Sequence, residues 1–243
     1  MIPARQPAAQ AYDALASTYD AQLRQDPVAG YMRAQLHAHF TRVFHAGERV
    51  LDFTAGTGID ARFLTARGVR VTALDASAGM IAELRRSLPD ADARVLPAAR
   101  LNELAGQDFD GALSTFAGLN LIDDLPRLAR DLSGCLKPRG RVILHALNEF
   151  CLWQGRRRTV RPVQLGRFTV THRFYHPLRL WSTVLARYFE PCEVYALSIV
   201  AAPALVRRLP RLAPALFAAD RLAGRLWPAA GDFFVLELER RDG

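Results

Sequence analysis

Residues 49–58, RVLDFTAGTG, pass from a short apolar run straight into a glycine-containing turn, and a helical pattern follows over 59–67. A strand that enters a helix through glycines leaves backbone N–H groups open at the helix start and lets a ligand approach the main chain closely. The same order then repeats. VRVTALD (69–75) reads as a strand, and Ser77 as the N-cap of a helix that runs to about Leu88 and stops at Pro89. ARVLP (93–97) and FDGALSTF (109–116) read as strands three and four. DDLPRLARDLSGCL (123–136) is an amphipathic helix with apolar residues at 125, 128, 132 and 136, and after the turn KPRG comes a fifth strand, RVILHAL (141–147). Strands alternating with helices in this way predict an α/β fold: a doubly wound, mostly parallel sheet with helices on both faces.

The rhythm changes after residue 148. VQLGRFTVTHRFYH suggests a hairpin around a glycine turn, 177–189 a helix with Pro177 at its start, and CEVYALSIV (192–200) and DFFVLELERR (232–241) two further strands, seven in all. The segment 201–231 is far longer than a plain hairpin connection needs. The expected organisation is one domain over 1–243: N-terminal helices in 1–48, a ligand-binding core in 49–148, and inserted lid or cover segments at 149–176 and 201–231.

Charge follows that division. Residues 1–150 carry 17 basic and 17 acidic side chains, whereas 151–243 carry 15 and 7 and so hold the whole net charge of +8. Lys137 is the single lysine, and with so much Ala and Leu the arginine abundance looks like GC-rich coding. Its one-sided placement is compatible with a solvated surface, an anionic substrate, or a nucleic-acid or membrane surface. Cys135, Cys151 and Cys192 are odd in number and widely spaced, which argues against a disulfide framework or a zinc finger. No stretch approaches ~20 uninterrupted apolar residues and the first twenty residues lack a signal-like apolar core, so a cytoplasmic protein is the expectation.

Two acids narrow the ligand. Asp75 ends the second strand, 17 residues after Gly58, where a carboxylate can take two ribose hydroxyls. Asp52 ends the first strand. A carboxylate there repels a pyrophosphate and suits a ligand that carries an ammonium and a sulfonium, which is S-adenosyl-L-methionine.

With these residues in view, 12–147 resemble the class I S-adenosylmethionine-dependent methyltransferases, in particular their small-molecule branch. VLDFTAGTG resembles the family's first motif and VTALDASAGMI (71–81) its second. FDGALSTFAGLNLIDDLPRLARDLSGCLKPRGRVIL (109–144) resembles strand four through the L-K-P-G-G turn, and Tyr12-Asp13 with Tyr19-Asp20 an N-terminal segment that folds over the cofactor. The resemblance implies a seven-stranded Rossmann-like sheet whose last strand inserts antiparallel beside the fifth. It implies cofactor contacts from Tyr12, Tyr19, Asp52, Thr54, Ala55, Gly56 and Gly58, then from Asp75, Ala76, Met80, Ala98, Ala99, Thr115 and Phe116. S-adenosyl-L-homocysteine is the implied product. The sequence departs from the family at Thr54, which stands for a glycine, and at 96–100, which offers no acid to adenine.

Methyl transfer by in-line displacement needs alignment first and a general base only for a weakly acidic acceptor. His145, His172, His176 and Tyr12 are the base candidates, and Asn120, Asn148, Trp153, Arg173 and Tyr175 the acceptor-binding candidates. No metal is expected. The expected acceptor is a small molecule, with an acidic group as one option for the arginines. The alternatives are methylation of RNA or protein, against which no Asn-Pro-Pro-Tyr-like motif follows strand four, and a catalytically silent relative. Segment 201–231 leaves a membrane surface or a homodimer face open.

Overall fold

The computed structural model describes residues 7–242; the first six residues of the expected 1–48 segment lie outside the described residues. Among the described residues there are eleven strands: β1 (Arg49–Asp52), β2 (Arg70–Asp75), β3 (Asp92–Val95), β4 (Phe109–Ser114), β5 (Leu136–Leu147), β6 (Phe150–Cys151), β7 (Gly155–Arg156), β8 (Val160–Leu165), β9 (Phe168–Arg173), β10 (Phe189–Leu197) and β11 (Phe233–Arg240). Seven form one sheet in the order β10-β11-β5-β4-β1-β2-β3. β1 to β5 are mutually parallel, and β11 enters antiparallel between β5 and β10, with Phe233 opposite Leu147 and Arg240 opposite Phe189.

The helices are α1 (Pro7–Gln25), α2 (Pro27–Val43), α3 (Ile59–Thr65), α4 (Ala78–Ser87), α5 (Leu125–Cys135), α6 (Pro177–Leu180), α7 (Pro203–Arg208) and α8 (Ala213–Leu226). Their starts are written locally. Asp26 caps α2 through Val28 N–H at 2.9 Å with Pro27 behind it, Ser77 caps α4 through Met80 N–H at 3.1 Å, and Asp124 caps α5 through Arg127 N–H at 3.0 Å. Alternation along each strand divides the core in two. Leu51, Leu74, Val142 and Leu144 pack under α5, while Val50, Leu113, Ile143 and Val235 pack under α2 and α4. No described helix is long and apolar enough to cross a membrane.

Several boundaries differ from the sequence reading. The helix expected over 177–189 is one turn of α6 followed by a wide turn at Trp181–Leu185, because Phe189 is pulled into the sheet, fully buried, as the first residue of β10. That strand therefore covers 189–197 rather than 192–200, and its Pro191 sits on an edge strand beside a bulge, where a missing N–H costs no ladder bond. The hairpin in 149–176 exists as β8–β9, joined at Gly166 (φ +59°), next to a smaller pair β6–β7. Segment 201–231 forms α7, a short turn and α8. It packs on α2 and β10, with Phe217 stacked on Tyr31 at 4.4 Å.

Candidate active site

A cleft opens at the carboxyl ends of β1, β2 and β4, under α1. The β1–α3 turn lines it with Thr54, Ala55, Gly56 and Thr57. Asp75, Ala76 and Met80 line it from β2 and α4, Pro97, Ala98 and Ala99 from the connection after β3, Thr115 and Phe116 from the end of β4, and Tyr12 and Tyr19 from α1. Its space is about 1300 Å³, open mouth included.

The turn keeps its shape through its own residues. Gly56 (φ +54°) and Gly58 (φ +80°) take the left-handed conformation that side chains resist. Asp75 Oδ2 accepts the Gly56 N–H at 2.9 Å, and its Oδ1 accepts the Ser77 N–H at 2.8 Å. Thr54, in the family's glycine position, has an unstrained backbone. Its hydroxyl lies 2.7 Å from that of Ser114, and its side chain fills the space that a Cβ on Gly118 would need. The departure is thus matched by a glycine across the cleft floor.

The paired Tyr-Asp motifs of α1 divide their work. Asp13 accepts from Ser77 Oγ at 2.6 Å and from Gly79 N–H at 2.8 Å at the start of α4. Asp20 accepts from Thr57 Oγ1 and, at 3.2 Å, from Arg62. The acids fasten α1 over the turn, and the seven-residue spacing leaves both tyrosines facing the cleft, 6.2 Å apart edge to face.

The sequence reading missed Arg33 and Asp60. Asp60, in the first turn of α3, is buried and accepts from Arg33 at 2.7 Å and Thr115 Oγ1 at 2.7 Å, with His37 Nε2 at 2.8 Å. Burial alone raises its carboxyl pKa, but Arg33, His37 and Thr115 outweigh that and hold it below the usual range. Arg33 lies 4.0 Å from the centroid of the Phe116 ring, and both it and Asp60 line the cleft. An acid two residues after Gly58 was a local signal for Asp60. Arg33 had none, since it arrives from another helix.

Two expected contacts move. Gly58 does not line the cleft; it caps α3, and a Cβ there would overlap Leu84 of α4. Asp52 lies beneath the turn, fully buried, with a long 3.4 Å contact from Thr54 N–H. Burial and then the Asp60 charge push its carboxyl well up from the ordinary carboxylate range. Burial also raises Asp75, countered in part by the Ser77 and Gly56 N–H groups.

Of the base candidates Tyr12 lines the cleft; the three histidines and the acceptor candidates lie elsewhere. Among the described residues no histidine lines the cleft. His145 is fully buried between Phe116 and Phe233, and its Nδ1 accepts the Phe116 N–H at 3.1 Å. It pins a turn in which Phe116 (φ +47°) and Ala117 (φ +67°) are both left-handed, so its role is to hold Phe116 against the cleft. His172 is buried on β9, and His176 precedes α6. Asn120 accepts the Leu147 N–H at 2.9 Å and donates to the Arg173 carbonyl, tying β5 to β9. Asn148 donates to Pro228 O, Trp153 donates to Ser198 O at 3.0 Å, and Arg173 pairs with Asp123 at 2.6 Å. Tyr175 bridges β5 and β9 through its backbone. The acid-poor arginine segment finds its acids in space: Arg157 pairs with Asp232, and Arg156 and Arg179 with Glu149. Neither inserted segment lines the cleft: α7 and α8 pack on α2 and β10, while β9 lies behind the cleft, against α1 and the turn at 119–121.

Burial, and then the Arg33 charge, lower the His145 pKa to about 3, below the ~6.5 of an unfolded chain. The folded state therefore binds fewer protons, and the stability of neutral His145 is full above pH 6.5 and drains as pH falls toward 3. Between pH 6.5 and 5 that loss is about 2 kcal/mol. His145→Gln keeps an acceptor for Phe116 N–H, and the unfolding free energy from urea titrations is expected to fall less with acid in this variant by that amount. Parallel pH profiles of the two proteins would count against it.

His39, Glu193 and Glu237 gather toward the other end of the sheet with ligand atoms within 4.8 Å of one another. Arg42 pairs with Glu193 at 3.1 Å and Arg141 with Glu237, so the two carboxylates are already balanced.

Residues 50–140 match the family described as a methyltransferase domain. A demethylmenaquinone methyltransferase of Clavibacter sepedonicus is 38% identical over 102 residues, 41% of each chain. The chain thus spans about two-fifths of the length of the curated relatives it matches most strongly. Among solved structures, the 1,6-didemethyltoxoflavin-N1-methyltransferase of Burkholderia thailandensis, with 1,6-didemethyltoxoflavin and S-adenosylhomocysteine bound, superposes with a TM-score of 0.59 at 20% identity, covering 100% of this chain and 93% of that one. The [4+2]-cyclase SpnF does so with 0.67 at 19%, covering 99% and 98%. At such identities the likeness is one of fold, and the second neighbour is named for a different chemistry, so the site has to carry the function.

Proposed function

From the premise that the chain carries a methyltransferase domain on the class I methyltransferase fold, we propose that it transfers a methyl group from S-adenosyl-L-methionine to a small-molecule acceptor. The observation that carries this reading is the pair Gly56–Asp75: a left-handed glycine in the turn, hydrogen-bonded to a strand-end carboxylate that lines the same cleft. When bound, S-adenosylmethionine supplies a methyl group made electrophilic by its sulfonium. Asp75 takes the ribose hydroxyls. Met80, Pro97 and Ala98 pack against the adenine, and backbone groups of 97–99 replace the missing acid. Arg33 would hold the tail carboxylate. Tyr12 and Tyr19 close the roof and exclude water.

Phe116 backs the acceptor, with the apolar side chains of Leu121 and Ile122 on the same wall. Alignment against these surfaces lowers the barrier by up to ~7–11 kcal/mol. With Asp60 held by Arg33, burial pushing the Tyr12 phenol further above its ordinary range, and no histidine at the wall among the described residues, the chain's contribution is positional, which suits an acceptor that reaches the cleft already nucleophilic. The matched stretch of the curated relatives is too short to bring their acceptor across.

Calorimetric titration with S-adenosylhomocysteine tests the site. Wild-type protein is expected to bind one equivalent, and Asp75→Ala to bind at least ~10-fold more weakly, since charge-assisted hydrogen bonds are worth about 1.5–3 kcal/mol. Equal affinity in the two proteins, or no binding at all, would sink the assignment. Binding without transfer to any acceptor would favour the silent reading.

A further inference from the structure

Segment 201–231 has a surface unlike the rest of the molecule. Six of the eleven large apolar side chains exposed among the described residues lie in it: Leu205, Leu209, Leu212, Leu222, Leu226 and Trp227. Leu222, Leu226 and Trp227 are 67%, 61% and 59% exposed, as open as residues on a polar face. Arg207, Arg208, Arg211, Arg221 and Arg225 are exposed beside them. The segment contains no lysine, histidine, serine, threonine, asparagine, glutamine or tyrosine, and its one acid, Asp220, is fully buried. What it shows to solvent is hydrocarbon and guanidinium. A coding bias accounts for arginine in place of lysine; it does not account for leucine and tryptophan on an open face.

The platform beneath is firm. Asp220 accepts the N–H groups of residues 198–201, Phe217 stacks on Tyr31, and Gly224 lets α8 press so closely on β10 that a Cβ would overlap the Ala196 carbonyl. These contacts turn a fixed side outward. On it, Leu222 and Leu226 form one i,i+4 row and Arg221 and Arg225 the row beside it, with Trp227 at the helix end. Arginine stems lying along such a row reach outward to charged groups at its edge. Arg225 has a 3.9 Å pairing with Glu193, while no ion pair among the described residues engages Arg207, Arg208, Arg211 or Arg221.

We propose that α7 and α8 dock this chain on an anionic lipid surface, with Leu222, Leu226 and Trp227 in the acyl boundary and the arginines on lipid phosphates. Charge and apolarity choose the occupant together. An isologous contact with a second copy sets this arginine surface against itself with no exposed acid in reply. A nucleic acid uses the arginines and leaves the leucines and tryptophan without a partner. An anionic membrane answers both, through apolar burial and attraction of the arginines to lipid phosphates. At 14 residues, α8 is about 21 Å long and lies in the plane of the interface. The docking face is separate from the cleft, and the proposal does not depend on methyl transfer.

The test is co-sedimentation of the full chain with vesicles of phosphatidylcholine alone or mixed with phosphatidylglycerol. Binding is expected to be at least ~10-fold stronger to the mixed vesicles, with a blue shift of tryptophan emission that Trp227→Phe removes. Leu222→Glu/Leu226→Glu changes only exposed positions, so its unfolding midpoint stays at the wild-type value while vesicle binding drops at least ~10-fold. Failure of the wild type to bind mixed vesicles would overturn the proposal, as would full binding by the double variant, which marks mere attraction of a basic protein. A dimer in light scattering that the double variant dissolves, or RNA binding that it loses equally, would assign the face to those partners instead.

Discussion

Asp220→Ala is expected to lower the free energy of unfolding by about 4 kcal/mol while leaving the ligand affinity of the folded fraction within about threefold of wild type. The side chain is fully enclosed. Its Oδ2 accepts from Ser198 N–H at 2.8 Å, and its Oδ1 from Ile199, Val200 and Ala201 N–H at 2.7, 2.8 and 3.1 Å. This loop leaves β10 with Ser198 at φ +60° and cannot pair in a ladder, so truncation strands four donors, most of them away from water. Each costs about 1–3 kcal/mol, less what relaxation recovers. Asp220→Asn keeps one carbonyl oxygen for the loop and should lose about half as much. Urea unfolding of the three proteins measures the series, and an alanine variant within 1 kcal/mol of wild type would mean that the loop finds other partners.

Asp60→Asn should cost about 3 kcal/mol and, unlike the Asp220 change, should weaken S-adenosylhomocysteine binding as well. The Arg33 side chain is 15% exposed and that of Asp60 4%, so the pair is largely dry, and removing one charge leaves the other uncompensated. Freed of its carboxylate, Arg33 no longer stays over Phe116. Arg33→Met should reduce ligand affinity by about 10–100-fold, through loss of the carboxylate contact assigned to it. The double variant Arg33→Met/Asp60→Asn should lose less stability than the sum of the single changes, by at least about 1 kcal/mol, since neither unpaired charge remains. Additive losses would show that Asp60 acts through Thr115 and His37 alone.

The parts of the molecule that the sequence already declared share one property: their geometry is local. The alternation through residue 147, the caps at Ser77 and Asp124, the glycine turn and the strand-end Asp75 each depend on residues within one turn or one strand of themselves. Even Thr54, an oddity in the motif, carried its own answer, because a β-branched residue demands the negative φ that it has. The acids of α1 were visible as part of a repeated Tyr-Asp pair, although what they fasten was not.

Long-range assembly decided the rest. Asp52 looked like a charge at the cleft, and burial beneath the turn takes it out of the lining and pushes its carboxyl well up from the ordinary range. His145, His172 and His176 looked like bases at strand ends and hairpins, yet β11 and its Phe233 wall off His145, and no described residue of the 149–176 hairpins lines the cleft. Arg33 and Asp60 stand 27 positions apart and acquire meaning only where α2 crosses α3. By itself the amino-acid order determined a doubly wound sheet with a glycine turn and a ribose-type acid above it. The tertiary structure alone decided which charges survive burial and which polar groups reach the cleft. The physical reason is that ionisation and access depend on the dielectric and the neighbours supplied by distant segments, whereas backbone conformation at a turn depends on the residues of the turn itself.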